Sequence, residues 1–226
     1  MENVMIEISH VNRIFSVPGG EFQALNDINA TISAGTLTIL KGRSGSGKTT
    51  LMNIVGALDG PSAGTVYVDG EDIWKLSDRQ RENLRRQNMG FVFQAVSLLP
   101  AMDAQQNVEF AMRMAGIKSA KEREKRAQEC LKLVGLGNRM HHMPAEMSGG
   151  EQQRTAIAKA IAHRPKLILA DEPTAELDSA MAAQVVKIFK ELTEKEGITI
   201  LMTTHDVGLM DAGDQTIELE NGVRIG

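Results

Sequence analysis

The sequence predicts an α/β fold whose core is a mostly parallel β-sheet covered by helices on both faces. Segments with strand-like apolar patterns alternate along the chain with segments of helical pattern, which is typical of βαβ units. From about residue 103 to residue 163 this alternation gives way to a largely helical stretch. The 226 residues suffice for one large α/β domain that carries one inserted subdomain.

The strand-like segments have alternating or wholly apolar patterns bounded by glycine or polar residues. They are residues 4–8, 28–40, 64–70, 90–94, 166–170 and 198–202. We expect one more strand pair near the end of the chain. Its turn is Asn221-Gly222, a dipeptide suited to a type I′ hairpin because both residues tolerate positive φ.

Helical patterns occupy residues 78–87 and 179–195 and most of the stretch 103–163. The long stretch is interrupted at Gly116, at Gly135–Gly137 and at Met143-Pro144, so it predicts several helices. It therefore indicates a helical subdomain inserted into the α/β core.

Composition excludes several classes of protein. The net charge is −4 and the chain has one Trp and one Tyr, so neither a basic surface nor an aromatic platform for nucleic acid is expected. The single cysteine, Cys130, cannot form a disulfide within the chain, which fits a reducing compartment. No signal peptide and no apolar run of about 20 residues is recognisable. Any membrane role is expected to depend on a partner chain.

A glycine-rich loop follows the apolar run Leu37–Leu40 and precedes the helical pattern that starts at Thr50. A loop of this composition between a strand and a helix is typical of a phosphate-binding P-loop. Its N–H groups and the helix N-terminus attract phosphate, Lys48 is expected at the β- and γ-phosphates, and the Thr49 hydroxyl at Mg²⁺. The predicted phosphate-binding residues are Gly42, Arg43, Ser44, Gly45, Ser46, Gly47, Lys48, Thr49 and Thr50.

Two acids, Asp171 and Glu172, end the apolar strand pattern 167–170. Strand ends meet at the edge of the sheet where open α/β sheets bind ligands. Asp171 is suited to hold Mg²⁺ through water, and Glu172 to orient or deprotonate an attacking water. The alternative is that the two acids only cap the next helix.

A third segment, Met147–Arg154, begins with Ser148 as a predicted N-cap and Glu151 as its capping-box partner. Gly149 and Gly150 weaken a helix by roughly 1 kcal/mol each relative to alanine. Their presence indicates that something approaches this backbone closely, and a helix N-terminus with a serine hydroxyl suits a γ-phosphate. The alternative is simply a well-capped helix.

These segments, in this order, resemble the ATP-binding cassette (ABC) family over the whole chain. The family's signature, Leu-Ser-Gly-Gly-Gln, corresponds to Met147–Glu151. The stretches Ala57–Pro61 and Gly90–Gln94 are similar to the branch of macrolide-exporter and lipoprotein-releasing ATPases. The resemblance implies a P-loop NTPase with a mostly parallel core sheet, a small antiparallel β subdomain and an inserted α-helical subdomain. It implies a single domain, 1–226, with a nucleotide-binding core of 1–94 and 164–226 and a helical signature subdomain of 95–163.

The resemblance also assigns roles to isolated residues. Phe15 stands where an aromatic ring stacks on adenine, although it could instead be a core residue. Gln94 is implied to contact Mg²⁺ and to sense the nucleotide, and His205 to contact the γ-phosphate as a catalytic residue beside Glu172 and Lys48. The remaining implied ATP-binding residues are Ser148, Gly149, Gly150 and Asp178.

Four sites depart from the family pattern. Thr36 stands where Glu is usual, and Arg43 where Pro is usual. Glu151 replaces Gln in the signature, and Ala175-Glu176 replaces a Gly-Asn pair.

The function implied is ATP hydrolysis with Mg²⁺ by a homodimer, or by paired ATPase subunits, that drives a separate membrane permease of the FtsX-like type. The chain would then be cytoplasmic and peripheral on the inner face of the membrane. Alternatives are the ATPase of a non-transporting membrane complex, or a module that uses ATP only to dimerise. A GTPase is disfavoured because no Asn-Lys-x-Asp motif is present.

Overall fold

The computed structural model describes residues 3–175, 177–204 and 207–225. Strands and helices alternate along the chain as the sequence predicts. The strands are β1 (Val4–Val17), β2 (Gly20–Ser33), β3 (Leu37–Lys41), β4 (Ala63–Val68), β5 (Glu71–Asp72), β6 (Met89–Val92), β7 (Leu167–Ala170), β8 (Thr199–Thr203), β9 (Gln215–Glu220) and β10 (Val223–Arg224). The helices are α1 (Lys48–Val55), α2 (Asp78–Asn88), α3 (Ala104–Met114), α4 (Ala120–Leu133), a 3₁₀ turn (Pro144–Glu146), α5 (Gly149–Ile161), α6 (Ser179–Glu196) and α7 (Val207–Met210).

Two sheets organise the chain, as predicted. The larger has the order β10-β9-β3-β8-β7-β6 and is parallel except for the β9–β10 hairpin. The smaller has the order β2-β1-β4-β5 and is antiparallel. The α/β class with a mostly parallel core sheet and a small antiparallel β subdomain is therefore confirmed.

The larger sheet separates two apolar cores because successive side chains of a strand point to opposite faces. In β7, Ile168 packs into a core that includes α3, α4, α5 and α6, whereas Leu169 packs into a core that includes α1 and the antiparallel sheet. Ile39 and Leu40 of β3 divide in the same way. Burial on both faces explains why these strands have continuous apolar sequences.

Several strand boundaries differ from the sequence prediction: the strand expected at 4–8 continues to Val17, and β2 begins at Gly20. The segment 28–40 is not one strand: β2 ends at Ser33, and β3 begins at Leu37 after a turn in which Gly35 has φ +70°. The strand expected to end at Gln94 stops at Val92, so Gln94 lies in the following loop. The Asn221-Gly222 turn agrees with its prediction, with φ of +48° and +77°.

The helical stretch contains α3, α4 and α5, broken where glycine and proline were expected to break it. These helices pack on one another around buried apolar residues such as Val108, Leu131 and Ile157. Among the described residues, none of the helices has the length and hydropathy that a membrane crossing needs.

Candidate nucleotide site

The predicted P-loop lies between the carboxyl end of β3 and the first turn of α1. Its backbone takes left-handed φ at Gly45 (+78°) and Gly47 (+101°), which glycine adopts at no steric cost. Within the described part of the chain, the N-terminus of α1 has no side-chain cap and no acid in its first turn. Its N–H groups and the positive end of its dipole are therefore available to an anion.

The side chains of the loop point to the same chemistry. Lys48 is buried, and its Nζ donates to the carbonyl oxygens of Gly42 (2.8 Å) and Arg43 (2.9 Å), which holds the ammonium group over the loop. Ser46 is also buried, and its Oγ has no hydrogen-bond partner among the described residues. A cation and an orphan hydroxyl at an uncapped helix N-terminus fit a phosphate chain.

Other strands of the fold brace the loop from behind. The N–H of Gly222 donates to the Ser46 carbonyl (3.1 Å), so the predicted tail hairpin rests on the P-loop. A Cβ on Gly42 would lie 2.3 Å from the Leu219 carbonyl oxygen, and one on Gly47 would lie 2.8 Å from the Ala24 carbonyl oxygen. The loop therefore depends on glycine for close packing as well as for φ.

Asp171 and Glu172 lie beside this loop, at the carboxyl end of β7. The Thr49 hydroxyl donates to Asp171 Oδ2 (2.9 Å), and the Thr203 hydroxyl donates to Asp171 Oδ1 (2.7 Å). Thr203 Oγ1 in turn accepts from the Glu172 N–H (2.8 Å). Buried Thr203 at the end of β8 thus positions both acids, a role that sequence analysis missed because nothing in the sequence pattern marks it.

Glu172 has φ +48°, a left-handed conformation that costs a non-glycine residue on the order of 1–3 kcal/mol. Such strain persists only where the surrounding contacts impose it, and here the Thr203 hydroxyl fixes the Glu172 N–H. The geometry does not match a simple helix cap, because α6 begins at Ser179 and its cap is Asp178.

Thr49 and Asp171 supply the hydroxyl and carboxylate oxygens that Mg²⁺ prefers. Among the described residues no group of three or more His, Cys, Asp or Glu side chains is suited to hold a metal. This sparse set fits Mg²⁺, which keeps several waters and is held by one or two protein groups together with substrate phosphates.

The signature segment forms the capping box that its sequence predicts. Ser148 Oγ accepts from the Glu151 N–H (3.2 Å), and Glu151 Oε2 accepts from the Ser148 N–H (2.9 Å). That N–H, followed by the Ser148 hydroxyl and Arg139, holds the pKa of Glu151 below its usual value. A Cβ on Gly150 would lie 3.1 Å from the Leu177 side chain. A Cβ on Gly149 would have no other described atom within 4 Å, apart from the backbone of its own helix and its two neighbours in the chain.

The other predicted residues are dispersed around the chain. Phe15 is half-buried on β1, and the Arg13 guanidinium lies 4.3 Å from its ring centroid. Gln94 is exposed, two residues beyond β6. Asp178 caps α6 by accepting from the Met181 N–H (2.9 Å). His205 and Glu176 lie outside the described residues.

The ABC transporter family model matches residues 25–175, which is more than half of the chain. The chain belongs to the ABC transporter family. An ABC transporter ATP-binding protein of Bacillus subtilis, YknY, is 43% identical over 96% of this chain and 94% of its own length. The lipoprotein-releasing system ATP-binding protein LolD 2 of Caulobacter vibrioides is 40% identical over 98% of this chain and 97% of its own length. The macrolide export protein MacB of Wolinella succinogenes is 42% identical over 98% of this chain, which spans 34% of that protein.

Solved structures agree with this ABC assignment. The ATP-binding cassette MJ0796, in a dimeric post-hydrolysis state with ADP and Pi, superposes on this chain with a TM-score of 0.93 at 38% sequence identity. The superposition covers 98% of this chain and 97% of the MJ0796 chain. The chain is accordingly an ABC-type ATPase subunit of the MacB/LolD-like branch, with the P-loop NTPase fold that the sequence predicts.

Proposed function

We propose that this ABC ATPase powers a separate membrane permease of the export or extraction type, and that it does so as a dimer with two shared ATP sites. Two relatives, named as a macrolide exporter and a lipoprotein-releasing ATPase, support this type of transport. A solved neighbour, the dimeric MJ0796 cassette with ADP and Pi, supports the dimer. The permease would determine which substrate is transported, because the ATPase subunit would not contact the substrate.

The observation that carries the nucleotide proposal is the hydrogen bond between Thr49 and Asp171 beside the uncapped start of α1. The P-loop residues named above would hold the phosphates of ATP, and Thr49, Asp171 and Gln94 would hold Mg²⁺. When bound, Mg²⁺ supplies positive charge to the phosphate oxygens as negative charge develops in hydrolysis.

Three residues of this chain are proposed to carry the chemistry. Glu172 orients the attacking water and takes its proton, since its backbone N–H is fixed by the Thr203 hydroxyl at the strand end next to Asp171. Lys48, held over the loop by two carbonyl oxygens, stabilises negative charge on the phosphates. His205 is proposed to contact the γ-phosphate, and its position follows from the sequence motif alone.

The dimer proposal depends on the signature segment. Gly149 is not required by its own φ or by packing among the described residues, so the space beside it suits a group from outside the chain. We assign Ser148, Gly149 and Gly150 to the ATP of the partner subunit, in a head-to-tail dimer, with Asp178 at the same interface. Because ATP contacts both subunits only when they close, ATP favours the closed dimer.

The permease is proposed to insert a short helix between the core (1–94 and 164–226) and the helical signature subdomain (95–163). An apolar groove there is lined by Phe91, Phe93, Phe110 and Met114, of which Phe93 and Met114 are 41% and 49% exposed. Arg85 and Arg86 stand at its edge. Gln94 directly follows Phe93 in the sequence and would couple the groove to the nucleotide. An FtsX-like permease is the proposed partner, which would place the chain on the inner face of the cell membrane.

Glu172→Gln tests the assignment. The variant should lose about 100-fold or more of the Mg²⁺-ATPase rate, because general-base catalysis is removed, while ATP binding remains. It should also accumulate as an ATP-bound dimer in sizing experiments. Glu194→Gln, which removes an exposed carboxylate on α6, is the matched control and should leave rate and oligomeric state unchanged.

The dependence of the wild-type rate on protein concentration separates the outcomes. A rate that rises faster than linearly and disappears in Glu172→Gln supports shared dimer sites. Unchanged turnover in Glu172→Gln contradicts the catalytic assignment. Retained ATP-driven dimerisation without turnover in the wild type would instead indicate a module that uses ATP only to dimerise.

A further inference from the structure

The stretch Leu58–Pro61, which follows α1 and has the sequence Leu-Asp-Gly-Pro, has no role in the site described so far. Its aspartate, Asp59, forms a bidentate ion pair with Arg13 of β1: Nε donates to Oδ2 at 2.9 Å and Nη2 donates to Oδ1 at 2.7 Å. The two side chains are 23% and 32% exposed, so the pair is partly shielded from water. A bidentate guanidinium–carboxylate pair of this kind fixes orientation as well as distance.

The same guanidinium lies over an aromatic ring. Arg13 Cζ is 4.3 Å from the centroid of the Phe15 ring, two residues along β1. This distance is within the range of a cation–π contact. Phe15 is only half-buried, so the ring keeps accessible surface that Arg13 does not cover.

Two hydrogen bonds of Ser62 hold these groups in place near the P-loop. The Ile14 N–H donates to Ser62 Oγ (3.0 Å), and the Ser62 N–H donates to the Asn12 carbonyl (2.7 Å), so the loop that carries Asp59 is fastened to β1 on both sides of Arg13. Opposite Arg13 on β2 is Leu25, whose Cδ2 would lie 2.7 Å from a Cβ on Gly47 of the P-loop. Arg13, two residues before Phe15 on β1, is therefore on the part of the antiparallel sheet that borders the P-loop.

We propose that Arg13 and Asp59 position Phe15 for base recognition: Asp59 holds the Arg13 guanidinium against one face of the ring, and the other face receives the adenine of ATP. This inference rests on the proposed adenine contact of Phe15 and explains how the chain prepares it. A ring that is already fixed loses less conformational freedom on binding. The guanidinium also draws π-electron density toward its own face, which favours stacking of an electron-rich base on the opposite face.

The test compares the affinity of the full chain for Mg²⁺-ATP with its affinity for Mg²⁺-tripolyphosphate, measured by calorimetry. Tripolyphosphate offers the same phosphates to the P-loop but lacks adenosine, so the ratio of its Kd to that of ATP measures the contribution of the nucleoside, and the change in this ratio at Phe15 reports on the base. Phe15→Ala should lower this ratio by about tenfold or more. Arg13→Ala, Arg13→Lys and Asp59→Asn should lower it by about three- to tenfold. Each should raise the KM for ATP with kcat unchanged.

The controls exclude simpler explanations. Tripolyphosphate affinity should stay constant in all variants, which verifies that the P-loop is folded. Lys190→Ala breaks an ion pair of similar exposure, with Asp214, and should leave the ratio unchanged. Arg13→Lys keeps the positive charge but lacks the planar fork, so a wild-type ratio in that variant would mean that charge alone matters and would overturn the proposal.

The remaining outcomes separate the positioning role of Arg13 and Asp59 from the adenine contact of Phe15. If Phe15→Ala lowers the ratio but Arg13→Ala and Asp59→Asn do not, the adenine contact stands and the positioning pair is wrong. If Phe15→Ala leaves the ratio unchanged, both the contact and the pair are wrong. If Arg13→Ala raises ATP affinity, the guanidinium competes for the face that the base uses, and the proposal is overturned.

Discussion

The P-loop and the signature segment both combine glycines with a helix N-terminus, but their surroundings differ. The P-loop is enclosed by its own chain: Gly42 and Gly47 lie against the carbonyl oxygens of Leu219 and Ala24, and Gly222 donates to Ser46. At the signature segment, Gly149 has no described atom near the position of a Cβ, apart from its own helix and neighbours. The first site is shaped within one chain, whereas the second presents a surface that another molecule can complete.

Breaking the enclosed site should have the largest effect. In Gly42→Ala the new Cβ would lie 2.3 Å from the Leu219 carbonyl oxygen and 2.5 Å from Ser46 Oγ, at a φ of +152° that alanine disfavours. We expect a loss of about 2–4 kcal/mol in the free energy of unfolding and loss of measurable ATP binding. Denaturant unfolding and calorimetry would measure the two effects. Wild-type stability would contradict the tight packing described for the loop.

A substitution in the signature segment, the open site, should have the opposite result: unchanged stability and weaker ATP-driven dimerisation. In Gly149→Ala the Cβ meets free space, and alanine is the better helix former, so the melting temperature should be equal or slightly higher. ATP-driven dimerisation and ATPase rate should fall by about tenfold or more, because the methyl group obstructs the approach of the partner's nucleotide.

One control serves both glycine variants. Gly137→Ala places its Cβ 3.3 Å from the flexible Lys132 side chain and should change neither stability nor rate appreciably. A Gly149→Ala protein with normal dimerisation and normal turnover would remove the structural argument for a shared site.

Local patterns of consecutive residues could be predicted from the sequence, whereas contacts between distant residues could not. The P-loop, the acids after β7 and the capping box at Ser148 are local patterns, so their elements and order could be predicted from consecutive residues. The Asn221-Gly222 turn was predicted for the same reason, because its conformation is a property of the dipeptide. Its contact with Ser46 could not be predicted, because it joins residues far apart in the sequence.

The same limit applies to side chains that position others. Thr203 contacts Asp171 and the Glu172 N–H, and Asp59 contacts Arg13, only after distant strands and loops have assembled. The region between residues 9 and 27 is another example. It lacks the alternation that marks a strand, yet it forms parts of β1 and β2, where register shifts at residues such as Val11 disturb the alternation.

The smallest expected effect concerns Glu151, which stands where the family signature has glutamine. Its carboxylate accepts from the Ser148 N–H and lies 3.3 Å from Arg139 Nε, and the Ser148 N–H lowers its pKa. Glu151→Gln keeps an acceptor for the cap but removes a negative charge from the helix N-terminus. We expect a loss of about 0.5 kcal/mol at pH 7, or a decrease of about 1–2 °C in Tm.

The pH dependence of this loss identifies its cause. A carboxyl group whose pKa is lowered by folding stabilises the protein above its unfolded pKa, and this contribution disappears as the pH falls through the folded pKa. The Tm difference between wild type and Glu151→Gln should therefore be present at pH 7 and shrink as the pH falls below the usual pKa of a glutamate carboxyl, which thermal melts would show. A difference that does not depend on pH would attribute the loss to packing instead of charge.

The same substitution should act in the opposite direction on the proposed dimer. If the signature segment covers the partner's ATP, Glu151 places a negative charge near a triphosphate, and its removal should strengthen ATP-driven dimerisation by about twofold or more at low ionic strength. The gain should shrink as salt is added, because screening weakens the repulsion that the carboxylate contributes. Sizing of the Glu172→Gln protein with and without Glu151→Gln would measure this. A variant that is both less stable as a monomer and more dimeric with ATP would show that Glu151 favours the stability of its own chain at the expense of ATP-driven dimerisation.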